Sequence, residues 1–188
     1  MQIALAARQL IVERGFEGLR TRDIAERVGI NIATLHYHVP SKDALVELLA
    51  QSLRDEFVAQ HEARPAGAIA PVDELRLEFS DFKETAFNNP ARHQTMVELS
   101  ERARRDEKVA AVIRPMQAHW HAQMAGILER GRADGSFRQD IDIEAAASMI
   151  IGAMIGVRRH DRDAGYFDRV TAEIERSLLR EIPGKTKA

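Results

Sequence analysis

Residues 21–42 read TRDIAERVGINIATLHYHVPSK, and this stretch decides the fold. Helical spacing puts Ile24, Ala25 and Val28 on one side of a short helix. Thr21 is expected as its N-cap, with Asp23 in the first turn, where a carboxylate suits the helix dipole. Gly29 supplies the positive φ that a sharp turn needs. Asn31 then caps a second short helix that runs to about His38. Ala25 is small enough to let the two helices approach, and Ile24, Val28, Ile30 and Leu35 are apolar where the helices meet. Such a pair is either an ordinary αα-corner of a bundle or a helix-turn-helix, whose second helix can enter a DNA major groove. Spacing alone leaves both open.

The same helical period continues on either side. Upstream, Ile3, Ala7, Leu10 and Ile11 share one face of a helix that ends before Gly15. Downstream, Pro40 and Ser41 break the chain, and Ser41 can cap a long helix carrying Leu45, Leu48, Leu49, Leu53 and Phe57. Residues 63–72, rich in Ala, Pro and Gly, read as a linker. A helix with Leu75, Phe79, Phe82 and Ala86 on one stripe follows, stopped by Asn88, Asn89 and Pro90. The next, from about Ala91, carries Met96, Val97 and Leu99 and ends in a charged run at 102–108. Proline in a helix interior costs about 3 kcal/mol, so Pro115 is expected to start a new helix. That helix carries Met116, Trp120, Met124, Ile127 and Leu128 and ends between Gly131 and Gly135. Asp140 or Asp142 caps a helix over 143–159, residues 161–165 form a loop, and a last helix over 166–181 aligns Val170, Ile174 and Leu178. No repeat and no alternating pattern of a strand appears. The fold class is all-α, with about nine helices.

Composition narrows the function classes without choosing one. At 188 residues the chain holds one domain or two small ones. It has no cysteine, which excludes disulfides, a thiolate metal site and a cysteine nucleophile. Apolar residues at 45% and charged residues at 30% suit a globular protein. The N-terminus lacks a signal-peptide pattern, and the longest low-charge run, 145–157, falls short of the ~20 residues of a membrane helix. A cytoplasmic protein without membrane contact is expected. With 27 basic and 29 acidic side chains the net charge is −2, so any case for nucleic acid rests on local residues.

Those local residues carry a family pattern. Ala7, Gly15, Phe16, Thr21, Ile24, Ala25, Val28, Gly29, Ile30, Thr34, Leu35, His38, Ser41, Lys42 and Leu45 are spaced as in the DNA-binding domain of the tetracycline-repressor (TetR) family, which residues 4–49 resemble. The run TLHYHVPSK at 34–42 is the most telling part. His36 stands where the family usually has Tyr, and Val39 where Phe is commoner. Because the chain starts almost within its first helix, no minor-groove arm is expected.

The resemblance implies a three-helix helix-turn-helix domain (1–48) joined by a long helix to a helical effector-binding and dimerisation domain (49–188). It implies a homodimeric, ligand-responsive repressor of a pseudo-palindromic operator, released by a small, largely apolar effector. Alternatives are a regulator that answers to a protein partner and a helical small-molecule-binding protein. Six Lys/Arg against five Asp/Glu in the first 45 residues leave a net of only +1, so placement has to matter. Thr21 and Arg22 sit at a helix N-terminus that favours phosphate, and Lys42 can clamp a second phosphate. His36, Tyr37 and His38 can reach the backbone beside it. Asn31, Ile32, Ala33 and Thr34 are the candidates for base edges, the apolar pair suiting thymine methyls. Asn31 and Thr21 have simple capping roles as alternatives, and His38 a packing role.

For the effector site the candidates are Phe79, Phe82, His93, Met96, Met116, His119, Trp120, Met124 and Met149, adaptable or flat apolar side chains that serve equally as core. His93 and Trp120 Nε1 are candidate polar contacts. Ala146, Ile150, Ala153 and Val157, with Val170, Ile174 and Leu178, are candidates for a dimer interface or for packing within one subunit. His119 and His121, two apart on a helix, point about 200° apart and do not chelate together. With no HExxH, nucleophile motif or phosphate loop, no metal, cofactor or enzymatic activity is expected.

Overall fold

Asn31 and Ser41 cap their helices as their positions suggest. In the computed structural model, which describes residues 2–64, 69–160 and 162–179, Asn31 Oδ1 accepts from Thr34 N at 2.7 Å and Ser41 Oγ from Ala44 N at 3.1 Å. These caps open α3 (Ile32–His38) and α4 (Lys42–Glu62). Before them lie α1 (Gln2–Arg14) and α2 (Thr21–Val28). Gly29 has φ 77° and turns the chain from α2 to α3, with Ile30 N donating back to Ala25 O at 3.0 Å. Thr21 is not a cap. It is the first helical residue of α2, and Arg20, in extended conformation, holds the cap position with no side-chain bond.

Then come α5 (Pro71–Lys83), a π-helical turn over Glu84–Asn88, α6 (Pro90–Arg102), α7 (Glu107–Asp134), α8 (Ile143–Arg159) and α9 (Ala164–Leu178). The linker expected at 63–72 therefore ends earlier, because Pro71 takes the first helical position, where it needs no N–H donor. Residues 65–68 lie outside the described residues. Asp142, not Asp140, caps α8, accepting from Ala145 N at 3.0 Å. Asp163 caps α9, so the loop expected at 161–165 is shorter and Ala164 and Gly165 are helical; Asp161 lies outside the described residues. The last helix closes at Leu178 rather than 181, where Arg138 N donates to Leu178 O and Phe137 bridges to Leu179. Residues 180–188 also lie outside the described residues.

The largest departure is at Pro115, which lies inside α7 and starts nothing. Val109, Ala110 and Ile113 before it and Met124, Ile127 and Leu128 after it are all buried. Each large apolar side chain of that set stabilises by about 1.5–3 kcal/mol, which outweighs one proline. Pro115 and Ala111 are both exposed, which puts the missing hydrogen bond on the outer side of α7.

The chain packs as two compact units, Met1–Pro65 with Asn88–Gln117, and Ala66–Phe87 with Ala118–Ala188. The core of the first is built from Leu10, Ile11, Ile24, Leu35, Leu49, Leu53, Leu99 and Ile113. Arg8 is buried there, but it donates to Glu56 at 2.7 Å and Ser52 at 2.5 Å, which ties α1 to α4. Arg92 of α6 lies 4.2 Å from the Phe57 ring and donates to Gln60 at 2.7 Å. The core of the second unit includes Leu75, Met124, Ile127, Phe137, Met154 and Phe167. Two ion pairs bind α5 to α9 there, Arg76 with Glu175 and Lys83 with Asp168.

Candidate nucleic-acid interface

Leu35 and Val39 are both buried and mark the inward side of α3. Tyr37 lies two residues after Leu35, about 160° around the helix from it. Its 85% exposure follows directly. Ala33, one turn before Tyr37, shares that outward face, and Ile32 and His36 flank it. Asn31, Ile32, Ala33, His36, Tyr37, His38, Lys42 and Arg22 are all exposed, and Thr21 and Thr34 are half-buried. The ten expected DNA-contact residues are thus held on α2, α3 and the start of α4, all within one compact unit.

Several of them have intramolecular partners. Asn31 Oδ1 is engaged in the cap, which leaves its amide N–H groups for a base edge. Tyr37 and His38 meet edge to face, centroids 5.2 Å apart. Lys42 Nζ lies 3.3 Å from Glu17 Oε2 and 5.3 Å from the Phe16 ring centre. Arg27 grips Glu13 through both guanidinium nitrogens at 2.6 and 2.8 Å, and its hydrogen bond holds the Glu13 carboxyl below its ordinary pKa. Arg14 pairs with Asp23 at 2.5 Å. Among the cations of the first 45 residues, only Arg20 and Arg22 have no acidic partner among the described residues. Both are exposed, and both stand at the N-terminal end of α2, where backbone N–H groups favour an anion. Sequence reasoning missed Arg20, because it treated Thr21 as the cap and looked no further upstream.

The effector candidates fall into two groups. Phe79 and Met124 are buried in the core of the second unit, and Phe82 and Trp120 pack against it. Phe82 is sandwiched by Trp120 and Phe167, with centroids 5.9 and 5.5 Å away and rings nearly parallel. Met96 and Met116 pack in the first unit instead, and His93 belongs to that unit as well. His119 is exposed and Met149 is 74% exposed, so neither lines an interior within one chain. The Trp120 indole N–H already donates to Glu78 Oε2 at 3.0 Å. Glu78 is a buried carboxylate that sequence reasoning missed, although its place on the apolar stripe between Leu75 and Phe79 signals it. A groove of about 350 Å³ lies between α5 and α9, lined by Phe79, Phe167 and Thr171 and flanked by the two ion pairs there.

Of the interface candidates, Ile150, Val157 and Leu178 are buried in the chain's own core, and Ala146, Val170 and Ile174 pack against it; Ala153 is half-buried. The apolar period of α8 therefore marks its inward face. Its outward face carries Ala145, Ser148, Met149, Gly152 and Ile155. On this face Ser148 Oγ is 3.0 Å from His121 Nε2, and Glu144 is 3.8 Å from His121 Nδ1. The order resembles an acyl-transfer triad, but Ser148 sits inside α8, where the backbone N–H groups are bonded within the helix and none can hold an oxyanion. No group of three or more metal-ligating side chains forms among the described residues.

Two family models match the chain: bacterial regulatory proteins of the tetR family over residues 3–49, and the tetracyclin repressor-like C-terminal domain over residues 80–174. The HTH-type transcriptional repressor KstR2 of Rhodococcus jostii is 27% identical over 143 residues, which cover 74% of this chain and 68% of KstR2. Tetracycline repressor protein class D of Escherichia coli is 29% identical over 182 residues, covering 94% and 74% of the two chains. A TetR-family transcriptional regulator from Agrobacterium tumefaciens superposes with a TM-score of 0.79 at 25% identity, covering 95% of this chain and 96% of that one.

Proposed function

The chain belongs to the TetR family of bacterial regulatory proteins, and we infer from that membership a DNA-binding transcriptional repressor that answers to a ligand. The observation that carries the reading is the polarity of α3. Leu35 and Val39 are buried, while Ile32, Ala33, His36 and Tyr37 stand clear of the protein. A short helix so placed fits a major groove. Asn31, Ile32, Ala33 and Thr34 read bases in this proposal. Thr21, Arg22 and Arg20 hold one phosphate region, and Lys42, His36, Tyr37 and His38 another.

Residues 1–48 form the DNA-binding part and residues 49–188 the effector and dimerisation part in the same reading. Two copies pair through the outward face of α8, where Gly152 and its small neighbours permit close approach and Met149 and Ile155 offer apolar surface. The effector is small and largely apolar, which suits the aromatic interior around Phe82 and Trp120. It acts by binding two dimer shapes with different affinity. No helix among the described residues is long and apolar enough to cross a membrane, and a cytoplasmic site of action is proposed.

The test is selection from fragmented DNA of the source genome by the purified, folded protein. An enriched pseudo-palindrome with half-sites about 34–36 Å apart, or a multiple of that, is the expected result. No enrichment by a folded dimer, with or without ligand, overturns the reading. Lys42→Ala is expected to weaken binding to all duplexes about tenfold and to lower the salt slope by about one. Titration of operator and random duplex across salt concentrations checks this, and an unchanged slope removes Lys42 from the phosphate contacts.

A further inference from the structure

One aromatic ring in the first unit serves two cations. The Phe16 ring centre is 5.3 Å from Lys42 Nζ and 5.1 Å from the Arg102 guanidinium carbon. Phe16 is only 5% exposed, so packing holds the ring in place. Lys42 is the first residue of α4 and Arg102 the last of α6. Phe16 and Lys42 lie in the stretch matched by the N-terminal family model, and Arg102 lies in the stretch matched by the C-terminal one.

The forces on the Lys42 ammonium oppose one another. The ring face and Glu17 attract it. The positive end of α4 and the Arg102 guanidinium repel it. Asp106, 3.4 Å from Arg102 Nε, offsets the guanidinium charge only in part. None of these contacts is buried deeply enough to lock the side chain: Lys42 is 47% and Glu17 87% exposed. Where the ammonium rests is therefore sensitive to whether Arg102 occupies the shared ring.

We propose that Arg102 is a positioning residue for operator binding, which shares the Phe16 ring with Lys42 and so loosens the ring's hold on the Lys42 ammonium, easing its transfer to a DNA phosphate. With Arg102 on the ring, Lys42 still rests against the ring and Glu17, but repulsion weakens that hold and a DNA phosphate draws the ammonium away more readily. With Arg102 withdrawn, the ring and Glu17 hold it more tightly. Arg102 makes no DNA contact itself. The inference rests on the reading of Lys42 as a phosphate contact, and it supplies a physical route by which α6, part of the effector-domain sequence, acts on the DNA anchor.

A double-mutant cycle on the full-length protein tests it, with the operator that the genomic selection returns and Kd measured across salt. Arg102→Gln is expected to weaken operator binding about two- to fivefold and to reduce the salt slope toward that of Lys42→Gln. In the Lys42→Gln background the same change is expected to have almost no effect, and Arg102→Lys, which keeps a cation for the ring, is expected to restore most of the binding. Equal weakening in both backgrounds means that Arg102 touches DNA or acts only through the overall charge, and overturns the proposal. So does no weakening in either. A merely structural role lowers the melting midpoint and leaves the two effects additive. If Lys42→Gln itself leaves affinity and slope unchanged, the phosphate reading fails and the inference falls with it.

Discussion

Gly131→Ala is expected to destabilise the protein by about 3 kcal/mol and to lower its melting midpoint by roughly 10 °C. Gly131 lies in the last turn of α7, and the chain folds back so that Phe137 covers it. A Cβ at 131 would overlap the Cδ2 and Cε2 edge of the Phe137 ring, with Cγ only 2.9 Å away. The ring has nowhere to go. It is fully buried, the Phe137 backbone N–H donates to Gly131 O at 2.9 Å, and the neighbouring Arg138 N–H donates to Leu178 O at 2.9 Å. Expelling an aromatic ring costs about 3–5 kcal/mol, and the better helix propensity of alanine returns about 1. Gly126→Ala in the same helix is the control, because its Cβ would meet only the mobile end of Arg130, at 3.3 Å. That change is expected to be neutral or mildly stabilising. Thermal unfolding of both variants decides the matter. A Gly131→Ala protein that melts within a degree or two of the parent would mean that Phe137 does not rest on Gly131.

Gly131 also shows what periodicity reveals and what it hides. The helices were legible because their apolar residues recur at helical spacing and their caps are local in sequence. Asn31 with Thr34, Ser41 with Ala44 and Asp142 with Ala145 each bridge three residues. The errors arise where a distant term outweighs a local one. The local penalty of Pro115 is genuine, but the burial of Ile113 and Val109 on one side and Met124, Ile127 and Leu128 on the other exceeds it. In α8 the spacing of Ile150 and Val157 signals a buried face correctly. It does not say whether the covering surface belongs to the same chain, and here it does.

The DNA-facing residues were legible for a related reason. A helix-turn-helix is short, so its turn, caps and outward residues all fall within 22 consecutive positions. Its electrostatics were not legible. The count of +1 for the first 45 residues does not reveal that Arg14, Arg27 and Lys42 each face a carboxylate of the same segment. Nor does it reveal that Arg20 and Arg22 are left without one among the described residues. The sharing of Phe16 by Lys42 and Arg102 joins residues far apart in the chain, and no spacing rule brings them together. The same holds for the bond from Trp120 to Glu78, 42 residues apart.

Ala33→Arg is expected to lower affinity for the parent operator about a hundredfold and to select a different sequence. Ala33 lies in the first turn of α3, one turn before Tyr37, which is 85% exposed, on the side away from Leu35 and Val39. Nothing about its position calls for a methyl group on packing grounds, since the side chain is exposed. Its shortness matters to a partner surface instead. In a major groove a methyl fits against a thymine methyl, and a guanidinium in its place meets the same base edge with bulk and charge. Each mismatched base pair costs about 1–3 kcal/mol, and a symmetric dimer counts the change twice, which gives the hundredfold loss. Arginine also brings two parallel donors suited to guanine O6 and N7, so the variant should favour guanine at the position where the parent favours thymine. Its extra charge should raise binding to random duplex slightly, with a steeper salt dependence. Repeating the selection with the folded, dimeric variant separates these effects. A uniform shift in affinity with an unaltered preferred sequence would place Ala33 away from the base edges and assign the reading to its neighbours Asn31, Ile32 and Thr34.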